Sequence, residues 1–149
     1  MGRDTGIELV TIKDFPKDKW ERWDEFDIPE ELPVFEKTNG YDEEADRLFR
    51  NKNRYEICYW RKVNSIATVA NQIVGHAEDD AYSDVSIAKL KLIREEIIKE
   101  IEYPDRFESG IWTWEDYIKG LAYDVANITW LIGWLEDHPE DFAVYYDSY

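Results

Sequence analysis

The sequence has little of several residue types and patterns, and each shortage excludes a class of protein. A single cysteine, Cys58, excludes an intramolecular disulfide framework and any zinc site built mainly from cysteine. No apolar run approaches the ~18 residues that a membrane-spanning helix requires, and residues 1–10 lack the apolar core of a signal peptide. We therefore expect a protein of the cytoplasm that does not bind a membrane.

Catalytic signatures are also scarce. The sequence contains no Gly-rich dinucleotide-binding motif, phosphate-binding loop, H-E-x-x-H motif or G-x-S-x-G motif. Its two histidines, His76 and His138, offer little for a nucleophile–histidine pair, and we expect His138 to interact with the carboxyl end of a helix. We predict that the protein is not an enzyme and that it uses neither a cofactor nor a metal ion.

Basic residues are few in comparison with acidic ones. The chain has 18 Lys and Arg residues against 34 Asp and Glu residues, for a net charge of −16. Such a chain repels nucleic acid and anionic membranes, so we expect no direct binding to nucleic acid. The acidic surface either keeps the protein soluble or imitates the phosphate array of a nucleic acid and occupies an enzyme that binds DNA or RNA.

One stretch departs from this acidic character. From Arg47 to Lys62 there are six basic residues and a single acidic residue, and aromatic residues lie between them. Arginine supplies forked donors for phosphate, and an aromatic ring supplies a stacking face for a base. We predict a small-ligand site formed by Arg54, Tyr55, Tyr59, Trp60, Arg61 and Lys62. The alternative is that Arg61 and Lys62 pair with neighbouring carboxylates while Tyr59 and Trp60 fill the core.

Hydrophobic periodicity predicts a mainly α fold. A long helix at residues 53–75 has a stripe at the 3.6-residue period, formed by Tyr59, Val63, Ile66, Ala70 and Ile73. Gly75 follows as a left-handed C-terminal residue. A second helix at residues 87–102 has Ser83 or Ser86 as its N-cap, and a third helix runs from Thr113 to Glu136 before Pro139. We predict a single domain, residues 1–149, with an antiparallel three-helix core at residues 53–137.

The two ends of the chain have weaker patterns. For residues 1–50 we predict an irregular arm with one short strand at residues 6–12 and short helices at residues 18–25 and 42–50. Residues 138–149 form an aromatic and acidic tail, which packs back as a strand or helix or lies on the surface.

One enzymatic alternative is based on acidic residues of the last two helices. All-α nucleotide pyrophosphohydrolases of the MazG and dimeric dUTPase type hold magnesium with carboxylates on neighbouring helices. This chain is similar in offering Glu96 and Glu100 on one helix, and Asp124 with Asn127 on the next. It departs from the E-x-x-E and E-x-x-D pattern of that family in its spacing and in having Asn127.

The segment from Tyr59 to Ile66, YWRKVNSI, resembles a motif of small tailed-phage proteins of unassigned role. That motif reads approximately Y-W-R-K-A-N-x-I-H-x-W-F, and a looser likeness covers residues 55–135. The chain departs from it at Ala67, Val69 and Ala70, where the family has His and aromatic residues. The resemblance implies a bacteriophage origin and action by binding in the cytoplasm of the infected bacterial cell.

Two modes of binding would counter bacterial antiviral defence. In the preferred mode, the protein sequesters a nucleotide-derived immune signal at residues 54–62. In the alternative mode, its acidic faces dock on a basic host defence protein, as a nucleic-acid mimic or an anti-CRISPR-like inhibitor would. A homodimer formed through the Trp-rich third helix is compatible with both modes, and a structural or regulatory phage protein is a further alternative.

Overall fold

The described part of the chain is an α+β structure in which four strands form one sheet. The computed structural model describes residues 4–11, 53–61, 65–76, 82–103 and 114–148. In chain order the elements are β1 (Asp4–Thr11), β2 (Asn53–Arg61), α1 (Ser65–Val74), β3 (Tyr82–Val85), α2 (Ile87–Glu102), α3 (Trp114–Asp137) and β4 (Phe142–Ser148). The short helices predicted at residues 18–25 and 42–50 lie outside the described residues.

All neighbouring strands of the sheet are antiparallel, and their order is β2-β1-β4-β3. Ile7 of β1 lies opposite Cys58 of β2 on one side and Tyr145 of β4 on the other. Ser83 of β3 lies opposite Tyr145 on the far side of β4. The first and last described strands are therefore neighbours in the middle of the sheet, although they are far apart in the sequence.

The prediction of a mainly α fold with a three-helix body is wrong. The predicted long helix at residues 53–75 divides into strand β2 and the shorter helix α1. Tyr59 of the predicted apolar stripe belongs to the strand, whereas Ile66, Ala70 and Ile73 belong to α1. Aromatic and branched residues of β2 suit a strand, and β1 pairs with it from end to end. Long-range strand pairing thus overrides the local helical period.

Predictions for the other two helices are confirmed. Helix α2 has the predicted bounds, and at its start the side chain of Ser86 accepts a hydrogen bond from the backbone N–H of Lys89. Helix α3 ends at Asp137, shortly before Pro139. Gly75 has a φ of 72° directly after α1, as expected for a left-handed C-terminal residue. The strand predicted at residues 6–12 is β1, and the tail that the sequence leaves open is β4.

One face of the sheet packs against the helices. The main core combines strand side chains with helix side chains, including Ile7, Leu9, Tyr55, Trp60, Tyr145, Leu90, Ile97, Ile128 and Leu131. Because side chains alternate along a strand, Val10 and Val144 point to the opposite face. They are buried in a second, smaller cluster with Tyr82 and Phe142.

A β-bulge determines which side chains of β2 face the helices. The register shifts between Ile7 and Glu8, so that Ile57 is an extra residue without an opposite partner in β1. Tyr55 and Trp60 are five residues apart, and simple alternation would place them on opposite faces. Because of the extra residue, both side chains lie on the helix-facing side, and both are buried.

Candidate functional site

The predicted ligand-binding residues lie on or next to β2, which is at one edge of the described sheet. Arg54 and Tyr59 occupy the face away from the helices, whereas Tyr55 and Trp60 occupy the helix-facing side. The side chain of Arg61 and the whole of Lys62 lie outside the described part of the chain. The four described side chains therefore do not share a surface, and the role of the six residues as a ligand site stays a prediction.

Arg54 forms a buried ion pair with Glu8 of the neighbouring strand. Its Nη2 and Nε atoms donate hydrogen bonds to the two carboxylate oxygens at 2.7 and 3.0 Å. The two side chains are only 12% and 2% exposed, and the ring of Tyr82 lies 5.3 Å from the guanidinium carbon. Burial lowers the pKa of the Arg54 guanidinium. Hydrogen bonds and charge interactions with Glu8 and Tyr82 together raise this pKa by a larger amount, so its net shift is upward. The charge of Arg54 is thus neutralised within the fold.

The aromatic members of the predicted site have three different environments. Tyr55 is buried in the core, and Tyr59 is 47% exposed on the other face. Trp60 is buried, and its indole Nε1 donates a hydrogen bond of 2.9 Å to Oδ2 of Asp124. Trp60 therefore joins β2 to α3, and only Tyr59 among the three presents a large part of its ring to solvent.

Asp124 is a half-buried carboxyl group at the contact between α3 and β2. Burial raises its pKa to about 7, although hydrogen bonds from Trp60 and Cys58 act in the opposite direction. Burial also raises the pKa of the Cys58 thiol well above its ordinary value, and the charges of Asp124 and Glu56 add to this effect. A buried thiol with a raised pKa is a poor nucleophile, so the position of Cys58 in β2 fits a structural residue.

The carboxylates of the pyrophosphohydrolase alternative have partners of their own. Glu96 pairs with Lys99 at 3.3 Å, and the buried Glu100 accepts a hydrogen bond of 2.7 Å from the Tyr117 hydroxyl. Among the residues that the structure describes, no group of three or more His, Cys, Asp or Glu side chains is placed to hold a metal ion. The arrangement gives no support to a magnesium site on these two helices.

Two buried polar atoms of the described residues have no hydrogen-bond partner there. One is Oδ1 of Asn127, which lies one turn after Asp124 on α3. The other is Nε2 of His76, whose Nδ1 lies 2.6 Å from the Ser83 hydroxyl and whose ring makes an edge contact with Tyr145. Within the described ranges, the contacts of the His76 ring are with Ser83 and Tyr145, and no carboxylate there orients it as the third group of a catalytic triad would.

A stack of three rings at the end of α3 is the feature that sequence reasoning missed. The rings of Trp130 and Trp134 stack at 5.4 Å, and those of Trp134 and His138 stack at 3.8 Å with an interplanar angle of 11°. The sequence signal is the spacing of i, i+4 and i+8, which places side chains one above another on a helix. The expected interaction of His138 with the carboxyl end of a helix is confirmed, because His138 Nδ1 lies 2.9 Å from the Trp134 carbonyl oxygen.

The surface of the described residues is strongly acidic. Eight carboxylates are exposed: Asp84, Glu95, Glu102, Glu115, Asp116, Glu136, Asp137 and Glu140. The exposed cations of the same ranges are Lys91 and Lys99, and each lies within 4 Å of a glutamate. The negative net charge of the chain is therefore present at the surface and not only in buried pairs.

No family model, curated protein or solved structure matches this chain. The likeness to tailed-phage proteins, which is based mainly on residues 59–66, consequently stays a prediction. Of the three helices described above, none has both the length and the apolar character needed to cross a bilayer.

Proposed function

We propose that this protein acts by binding a macromolecule with a basic surface, as an acidic mimic of nucleic acid does. The observation that carries the proposal is the ion pair between Arg54 and Glu8, which neutralises a guanidinium that the sequence offers for anion binding. The described residues present eight exposed carboxylates to solvent and only two exposed cations. A surface of this sign attracts cations and repels phosphates.

Electrostatics supports a basic partner on physical grounds. A net charge of −16 on 149 residues increases the rate of encounter with a positively charged protein and opposes encounter with a nucleotide. Duplex DNA carries about one phosphate charge per 1.7 Å of its axis, and a protein groove that binds DNA presents lysines and arginines to these phosphates. Exposed carboxylates can pair with the same lysines and arginines that contact those phosphates.

Counter-defence by a bacteriophage is the biological role that we attach to this binding. The resemblance of residues 59–66 to a motif of small tailed-phage proteins supports it. The partner would then be a host defence protein that binds nucleic acid, such as a nuclease, and the place of action would be the cytoplasm of the infected cell. Sequestration of a nucleotide-derived signal is not favoured by the positions of Arg54, Tyr55 and Trp60, and it becomes an alternative outcome of the test.

The test is capture of partners on the immobilised full-length chain from a nuclease-treated bacterial lysate at low salt. We expect basic nucleic-acid-binding proteins to be retained and to elute as salt shortens the Debye length from about 10 Å at 0.1 M to about 3 Å at 1 M. A column of polyglutamate with equal charge serves as the control for binding by charge alone. A specific partner should remain on the protein column only and form a stoichiometric complex in native mass spectrometry.

A thermal-shift measurement against a panel of nucleotides distinguishes the alternative. A nucleotide that stabilises the chain, together with no protein retained beyond the polyglutamate control, would contradict the proposal and favour sequestration. Identical protein retention on the two columns would also contradict it.

A further inference from the structure

The C-terminal end of α3 combines stacked rings with exposed carboxylates. The stack of Trp130, Trp134 and His138 is half-buried, and three of the eight exposed carboxylates lie within the adjacent range Glu136–Glu140. A guanidinium binds both to ring faces, by stacking, and to carboxylates, by charge-assisted hydrogen bonds. Their presence together points to a ligand more specific than a generic cation.

Hydrogen bonds hold the rings of the stack in place without a bound partner. Trp134 Nε1 donates a hydrogen bond of 2.8 Å to Oδ2 of Asp141, which precedes β4. The carbonyl oxygen of Trp134 accepts hydrogen bonds from the backbone N–H and from Nδ1 of His138, both at 2.9 Å. Rings fixed in this way lose little conformational entropy when a second planar group stacks on them.

The nearby carboxylates differ in their availability. Glu136 has a cation partner, since Lys91 lies 3.8 Å from it, although both side chains are about half exposed and such pairs contribute little. Asp137 and Glu140 are exposed on either side of His138 in the sequence. We therefore assign the charge contacts to Asp137 and Glu140 and the stacking contact to His138.

We propose that His138, supported by Trp134 and flanked by Asp137 and Glu140, is a docking surface for an arginine side chain of the basic partner. This inference rests on the proposed function and adds the residue that the partner must present. The charge complementarity of this end of α3 favours a cation, and the ring stack favours the planar guanidinium over the ammonium group of lysine. A second copy of this acidic chain is a poor occupant, because like charges repel.

The experiment is titration of the full chain with hexa-arginine and with hexa-lysine peptides at low salt, followed by calorimetry. We expect hexa-arginine to bind about three- to tenfold more tightly, because both peptides have equal charge and only arginine stacks well. The indole N–H resonances of Trp130 and Trp134 should shift with hexa-arginine, whereas that of the buried Trp60 should not.

Substitutions show which residues cause the preference for hexa-arginine over hexa-lysine. The preference for arginine should be lost in His138→Ala and in the Asp137→Asn, Glu140→Gln double variant, and it should persist in the matched control Glu95→Gln, Glu102→Gln on α2. His138→Gln serves as the second variant at this position if the alanine variant does not fold. The melting temperature of each variant shows whether it is folded.

The outcomes separate this inference from the proposed function. Equal binding of the two peptides, or equal losses in the α3 and α2 variants, would overturn the arginine surface and leave general binding to a basic partner intact. Failure of the chain to bind either peptide at low salt would overturn both.

Discussion

At the scale of single residues, the contact between Glu8 and Arg54 favours a role for Arg54 in stabilising the fold over a role in binding a ligand. Both side chains are almost fully buried and are joined by two hydrogen bonds. We expect Arg54→Met to lower the free energy of unfolding by about 3–5 kcal/mol, because it leaves the Glu8 carboxylate buried without a countercharge. Urea denaturation measures this loss as a lower urea concentration at the midpoint of unfolding, with an unchanged dependence of the unfolding free energy on urea.

The matched control is the double variant Glu8→Leu, Arg54→Met, which removes both charges and should recover most of the lost stability. If Arg54 instead served an external anion, the single variant would lose less than about 1 kcal/mol, as surface charges usually do. That result would contradict the account of the ion pair.

Asp124 makes the stability dependent on pH. Its pKa is raised to about 7 in the folded state, so the folded protein binds this proton more tightly than the unfolded chain does. The contribution of the protonated group is fully present below about pH 4, the ordinary range of a carboxyl group, and is lost as the pH rises to about 7. We expect Asp124→Asn to reduce the pH dependence of the melting temperature in this window, while its amide oxygen still accepts from Trp60.

The comparison is made against Asp137→Asn, which removes an exposed carboxylate from the same helix. If Asp124→Asn and Asp137→Asn change the melting curve between pH 4 and pH 7 to the same extent, the special position of Asp124 at the α3–β2 contact is refuted.

At the scale of elements, the packing of β1 depends on the absence of a side chain at Gly6. A Cβ there would overlap the Cys58 carbonyl oxygen of β2 and lie 2.7 Å from the ring of Tyr146, so the β2 backbone would have to shift and the Tyr146 ring would have to move. We expect Gly6→Ala to lower the free energy of unfolding by at least about 2 kcal/mol.

Gly133→Ala on the exposed face of α3 is the control. Apart from the neighbouring residues and backbone of α3 itself, no atom of the described residues lies within 4 Å of its added Cβ, and the substitution should stabilise the helix by about 0.5–1 kcal/mol. Chemical denaturation of the two variants should therefore give changes of opposite sign. A neutral Gly6→Ala would show that β1 does not sit as closely between β2 and β4 as described.

Sequence patterns predict the elements whose information is local. Helices α2 and α3 carry apolar stripes with recognisable ends, such as Ser86 and Pro139, and they were predicted correctly. Strand β2 was not, because its bulge at Ile57 breaks the alternation that identifies a half-buried strand. The sheet itself depends on pairing between β1 and β4 from distant parts of the sequence, which no local period records.

The candidate site was only partly predictable, because its contacts also join residues that are far apart in the sequence. Charge and residue type identified Arg54 and Trp60 as noteworthy, but only the tertiary structure shows that their partners are Glu8 and Asp124. Stacking of Trp130, Trp134 and His138 was open to prediction from helical spacing alone, since all three lie one turn apart.

At the scale of the whole molecule, charge is the property most directly connected to the proposed function. The net charge of −16 was available from the sequence, and the structure adds that the described surface carries most of its exposed charge as carboxylates. Such an excess opposes the compact state through self-repulsion, which a partner with positive charge would relieve. The acidity of the chain therefore favours complex formation with such a partner.

Competition by DNA tests the central claim most directly. The captured partner is held on the immobilised chain at constant low salt, and the fraction released is measured as duplex DNA is added. If the protein occupies the groove in which its partner binds nucleic acid, the released fraction of the partner should rise with DNA concentration until release is complete. An equal concentration of mononucleotide should release none of the partner. A partner that remains bound at saturating DNA, or that binds the chain and DNA together, would contradict the account.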